Sequence, residues 1–106
     1  MDVREYIGED GVNVYEKWFN QLNRMAAVKV ATARARLESG NTSNIKWFKG
    51  IGEYKIDWGP GYRIYLFQEG QELIILLGGG TKKTQKADIA KAEKFYEEYK
   101  RRKKPK

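Results

Sequence analysis

The chain has no cysteine and no histidine. Without thiols there is no disulfide framework, and the redox compartment is left unspecified. Without either residue a zinc site or a histidine-based nucleophilic triad is nearly excluded, so catalysis would fall to Lys, Arg, Tyr, Glu, Asp and amides. Long apolar stretches are also missing. The longest uninterrupted run is Leu73–Leu77, too short for a membrane span or the core of a signal peptide. The expectation is a cytoplasmic protein with no metal, no small-molecule cofactor and no membrane attachment. No repeats or low-complexity linkers appear.

What is present suffices for one domain, since 106 residues can bury a core unaided. The net charge is +7, and six of the 21 basic residues lie at the C-terminus, from Lys100 to Lys106. Setting those aside leaves 15 basic against 14 acidic groups, close to neutral. The remainder is polarised: residues 1–23 carry five acids and two bases, residues 24–55 seven bases and two acids. Such polarity points to a polyanion for one face. The stretch after Tyr99 reads as a frayed, solvated tail. The division is therefore a domain over 1–99 and a basic tail over 100–106, the tail adding nonspecific affinity for RNA.

The densest information lies in residues 51–85. Glu53, Lys55 and Asp57 alternate with Tyr54, Ile56 and Trp58, the period of a half-buried strand. The alternation resumes after Gly59-Pro60-Gly61, with Arg63, Tyr65 and Phe67 against Tyr62, Ile64 and Leu66. With those three residues as the loop, Trp58 faces Tyr62, and Asp57, Lys55 and Glu53 face Arg63, Tyr65 and Phe67. A one-residue slip would set every polar residue opposite an apolar one. One face then carries Tyr54, Ile56, Trp58, Ile64 and Leu66 under the helices. The other leaves Lys55, Arg63 and Tyr65, with Glu53, on an open polar face. A solvated sheet face with cross-strand charges is the plain alternative.

Leu73–Leu77 reads as an interior strand covered on both faces. It runs into Gly78-Gly79-Gly80-Thr81-Lys82-Lys83-Thr84, just before a helix. Three glycines allow close approach to backbone N–H groups, and cations with hydroxyls at a helix start suit a phosphate. The Walker spacing is absent.

Elsewhere, Asp2–Ile7 reads as an edge strand. Asn13 and Glu16 form a capping box before Tyr15, Trp18, Phe19 and Leu22, a buried helical stripe. A second helix, Met25–Ser39, buries Ala26, Val30, Ala33 and Leu37 and stops at Gly40. Asn41–Gly52 reads as a loop. Thr84 caps a last helix whose face is Ile89, Ala92, Phe95, Tyr96 and Tyr99. The sum is a small α+β domain: an antiparallel sheet, an N-terminal helical hairpin packed on one face, and a C-terminal helix.

These residues resemble the addiction-module killer proteins of the RelE/HigB-type toxin superfamily. The matching positions are Gly52, Glu53, Ile56, Gly59, Pro60, Gly61, Tyr62, Arg63 and Tyr65, then Leu76, Leu77, Gly79, Gly80, Lys82, Gln85, Asp88, Ile89 and Ala92. The helical hairpin fits as well, so the resemblance spans nearly the whole chain. Two departures stand out: Lys55 where the family has Arg, and Tyr54 where it has Leu. The resemblance implies a RelE-like domain and a toxin of a type II toxin–antitoxin pair, a ribosome-dependent mRNA endonuclease. It also implies a cognate helix-turn-helix antitoxin as partner. Relatives of the ParE type bind DNA gyrase instead, and a degenerate nucleic-acid-binding domain is a further alternative.

The chemistry is feasible without metal, because RNA carries its own nucleophile in the 2′-OH. Cleavage needs a base, cations for the developing phosphorane and an acid for the leaving oxygen. Arg63, Lys55, Tyr65 and Lys82 can supply cations and a proton donor, with Glu53 or a lysine as base. Tyr65 alternatively stacks on a base. Lys83, Thr81, Thr84, Gln85, Lys46 and Lys49 are the candidate RNA-binding residues. Arg63, expected to be exposed, is the leading candidate for holding transition-state charge.

Overall fold

The structure is a computed structural model and describes residues 1–104. Five strands form one sheet: β1 (Asp2–Glu5), β2 (Ile45–Phe48), β3 (Ile51–Ile56), β4 (Tyr62–Glu69) and β5 (Leu73–Gly80), in the order β1-β5-β4-β3-β2. β2 to β5 form an antiparallel meander, while β1 pairs with β5 in parallel, so the sheet is mixed. Helices α1 (Val14–Asn20) and α2 (Arg24–Glu38) connect β1 to β2, and α3 (Gln85–Lys103) follows β5. Among the described residues no helix is long and apolar enough to cross a membrane.

Local chemistry accounts for the element ends. The Asn13 side chain accepts from the Glu16 N–H at 2.9 Å, and Asn23 does the same for Ala26 at 2.9 Å, which starts α1 and α2. β2 occupies part of the stretch expected as a loop. Its turn to β3 is Lys49-Gly50, both at positive φ (51° and 85°), the pair of left-handed residues that a tight two-residue hairpin requires. Continuous apolar content in Ile45–Phe48 is short, and the turn rather than the strand carries the signal.

The sheet is covered on both faces. Tyr54, Ile56, Ile64, Leu66, Ile74 and Leu76 pack beneath α1 and α2 with Tyr15, Val30 and Leu37. Ile51, Tyr65, Phe67, Ile75 and Leu77 pack with Ala92, Phe95, Tyr96 and Tyr99 of α3 on the other side. The division of residues between faces is the one the alternation predicts. The second face, however, is not open: α3 closes most of it, with the Phe67 ring between Tyr96 and Tyr99 at centroid distances of 4.8 and 4.6 Å. Phe67 on the supposedly polar face, together with Ile75 and Leu77 at odd positions of β5, already required such a cover.

The hairpin register also differs. Ile56 pairs with Tyr62, Lys55 with Arg63, Tyr54 with Ile64 and Glu53 with Tyr65. The loop is the five residues Asp57–Gly61, two longer than expected, with Gly59 and Gly61 both at positive φ. A shift of two preserves which face each side chain occupies but changes every partner. Asp57 therefore does not face Arg63; Lys55 does.

The C-terminal basic run is not frayed as far as it is described. Lys100–Lys103 form the last turn of α3. Arg101 pairs with Glu9, Arg102 donates to the Ile7 carbonyl at 2.8 Å, and Lys103 pairs with Glu69. Residues 105 and 106 of the expected tail lie outside the described residues.

Gly79 is required by packing, since a β-carbon there would run into the Trp18 ring. Gly79→Ala is expected to cost about 1–3 kcal/mol through overpacking. Chemical denaturation checks this, and Gly40→Ala is a poor control because its φ of 88° is itself strained.

Candidate functional site

β3 and β4 place Lys55 directly opposite Arg63, two cations in one cross-strand pair. Like charges so placed are destabilising unless an anion compensates. The internal anion is Glu53, two residues along on the same face. Its Oε2 lies 3.4 Å from Arg63 Nε, accepts the Tyr65 hydroxyl at 3.1 Å and accepts Gln85 Nε2 at 2.8 Å. Arg63 Nη1 donates to the Gly61 carbonyl at 2.8 Å. Glu53 and Arg63 are buried, at 7% and 4% exposure, and they are the buried charged residues among those described. The Nε of Arg63 has no well-formed hydrogen bond, so its 3.4 Å approach to Glu53 is an ionic contact with donor capacity unspent.

Two separate stretches build this cluster. The loop Asp57–Gly61 meets the turn Lys82–Thr84: the Lys82 N–H donates to the Pro60 carbonyl at 3.4 Å, and Gly61 lies against the β-carbon of Lys82. Arg63 pairs across β4 and β5 with Gly80. A side chain at position 80 would collide with the Asp88 carboxylate, which accepts the Thr84 hydroxyl. Thr84 Oγ1 in turn accepts the Thr81 N–H at 3.3 Å. Thr81 and Thr84 thus organise the turn itself. The Thr84 side chain makes no capping bond to α3.

The structure sorts the sequence candidates into three groups. Glu53, Arg63, Tyr65 and Gln85 form a buried, internally bonded floor. Lys55 and Lys82, both exposed, lie beside it, on β3 and in the Gly-rich turn. Lys46 is exposed and pairs across β2 and β3 with Glu53, which puts it on the same face. Lys83 is exposed on the same turn as Lys82. Lys49 is not brought to this cluster: it sits at the far β2–β3 turn, in a groove with Glu93, Lys94 and Tyr96 of α3.

Two expectations fail here for one reason. Arg63 is not exposed, and Tyr65, at 1% exposure, cannot stack on a base, because α3 docks where open solvent was expected. The Tyr65 hydroxyl is held above the ordinary tyrosine value, chiefly by burial and then by the charge of Glu53 and the hydrogen bond to it. Its proton is committed to Glu53 and is a poor choice for a leaving group. Gln85, expected to touch RNA, instead orients the carboxylate. Asp88 was missed as a site residue; its place in the glycine–lysine motif, four residues after Thr84, was the available signal.

No family model matches the chain. A protein of Haemophilus influenzae, named only as an uncharacterized protein, is 41% identical over 86 residues, spanning 79% of this chain and 87% of that one. The chain belongs to that protein's family. That name assigns no activity.

Proposed function

We propose that this protein is the toxin of a type II toxin–antitoxin pair, a metal-independent endoribonuclease that cuts mRNA on the ribosome in the cytoplasm. The observation that carries the reading is the meeting of Gly59–Arg63 with Gly80–Gln85, the two stretches that resemble the RelE/HigB-type toxins, around a buried Glu53–Arg63 pair with exposed Lys55 and Lys82 beside it. Glu53 answers the charge of Arg63, and a phosphodiester would answer that of the exposed Lys55 and Lys82.

In the proposed reaction the 2′-OH attacks the adjacent phosphorus. Its proton passes to the free oxygen of Glu53, since Arg63, Tyr65 and Gln85 all converge on Oε2. Lys55 and Lys82 hold the equatorial oxygens as charge develops, with Arg63 beside them fixing the carboxylate. The 5′-oxygen leaves with a proton from a lysine ammonium, Lys46 or Lys82. The products are a 2′,3′-cyclic phosphate and a 5′-hydroxyl end. A small acidic antitoxin is the proposed partner for the cationic face.

The test is cleavage of a defined mRNA by purified protein in a translating extract, beside a gyrase supercoiling assay. Cuts that appear only on translated message support the reading. Inhibition of supercoiling with intact message replaces it with the gyrase-binding alternative.

A further inference from the structure

A second feature lies on the opposite side of Lys55. β2 begins opposite Tyr54, so the end of β3 beyond it has no strand neighbour on that edge. Between this edge and α2 runs a groove of about 460 Å³. Lys29, Arg36 and Lys55 line it against one carboxylate, Asp57, among the described residues. Trp58 forms part of its wall, stacked on Tyr62 at 6.2 Å and 19°, with the Lys29 ammonium 5.6 Å from the indole centroid. Tyr54 also lines the groove. That side chain is 2% exposed, and its hydroxyl has no hydrogen-bond partner.

A buried hydroxyl without a partner is costly in a finished fold. An excess of cations, an aromatic shelf and an unspent hydroxyl in one groove form the set that holds a nucleotide: phosphate on the cations, base on the indole, a polar edge against the hydroxyl. We propose that this groove binds a single-stranded RNA nucleotide flanking the scissile phosphate, with Lys55 common to groove and cluster. The proposal rests on the nuclease reading for the word scissile alone; binding in the groove is independent of it. An acidic peptide would use the cations but leave the indole and the hydroxyl unexplained. When the nucleotide enters, Lys29 exchanges its indole contact for a phosphate, and the base takes the ring face.

The probe is a fluorescein-labelled short oligoribonucleotide with 2′-O-methyl riboses, which cannot be cut, titrated by anisotropy at fixed low salt. Tyr54→Phe removes one oxygen and is expected to weaken binding about tenfold. Its melting temperature should be unchanged or higher, since an unpaired hydroxyl is gone. Arg36→Glu, at an exposed position, should weaken binding by more than tenfold and flatten the salt dependence. If both variants bind as the parent does, or the parent binds no oligonucleotide, the groove takes something else and the proposal falls. Oligonucleotide binding lost in both variants, in a protein that cuts no message, sustains the groove and removes the nuclease. Message cleavage with unaltered affinity in both variants does the reverse.

Discussion

Arg63→Ala is expected to lower the unfolding free energy by about 3–5 kcal/mol, because it strands a buried carboxylate. Glu53 would keep the Tyr65 and Gln85 hydrogen bonds but lose the one cation within 4 Å of it among the described residues. For a domain of this size the melting temperature should fall on the order of 15 °C. Any loss of the proposed activity would come from instability as much as chemistry, so the variant is a poor test of mechanism. Thermal denaturation of Arg63→Ala beside the double variant Arg63→Met/Glu53→Gln checks the cause. The double variant removes both charges and should recover much of the loss. A single variant melting within a few degrees of the parent would show that Glu53 is not held by this pair.

Lys82→Ala isolates the chemistry proposed above. The side chain is exposed and forms no ion pair among the described residues, so the fold should persist with an unchanged melting temperature. Loss of one preorganised cation at a developing phosphorane is expected to cost about 10²–10³ in cleavage rate. Single-turnover cleavage of translated message measures it. Lys49→Ala is the matched control, a surface lysine at the remote β2–β3 turn, and should cut at the parental rate. Equal rates for Lys82→Ala and the parent would remove the Gly-rich turn from the reaction.

Much of the fold was legible because alternation in β3 and β4, helical stripes in α1 to α3 and asparagine caps are local signals. Face assignment survived even where the register did not, since the error was an even number of residues. The register itself depended on how many residues the glycine turn consumes: Trp58, expected opposite Tyr62 as a strand pair, lies in the loop and stacks on that ring instead. Burial of Arg63 and Tyr65 was hidden for a different reason. A polar alternation reads as solvent exposure unless a later segment covers it, and the cover, α3, starts at Gln85, well downstream of both. The charged floor is therefore a tertiary property. Phe67, Ile75 and Leu77 on that face signalled a cover, but not that Gln85 would reach Glu53 on β3.

The ties between the two ends of the chain carry a consequence for the order of synthesis. Tyr6 donates to Glu98, and Glu9 meets Arg101, each across some ninety residues; β1 waits for β5, and Glu53 waits for Gln85. A nascent chain can form the α1–α2 hairpin and the β2–β4 meander early, yet the floor beside Lys55 and Lys82 is incomplete until the final helix has been translated and has cleared the exit tunnel. The floor is thus among the last parts of the domain to close, after its two ends have met.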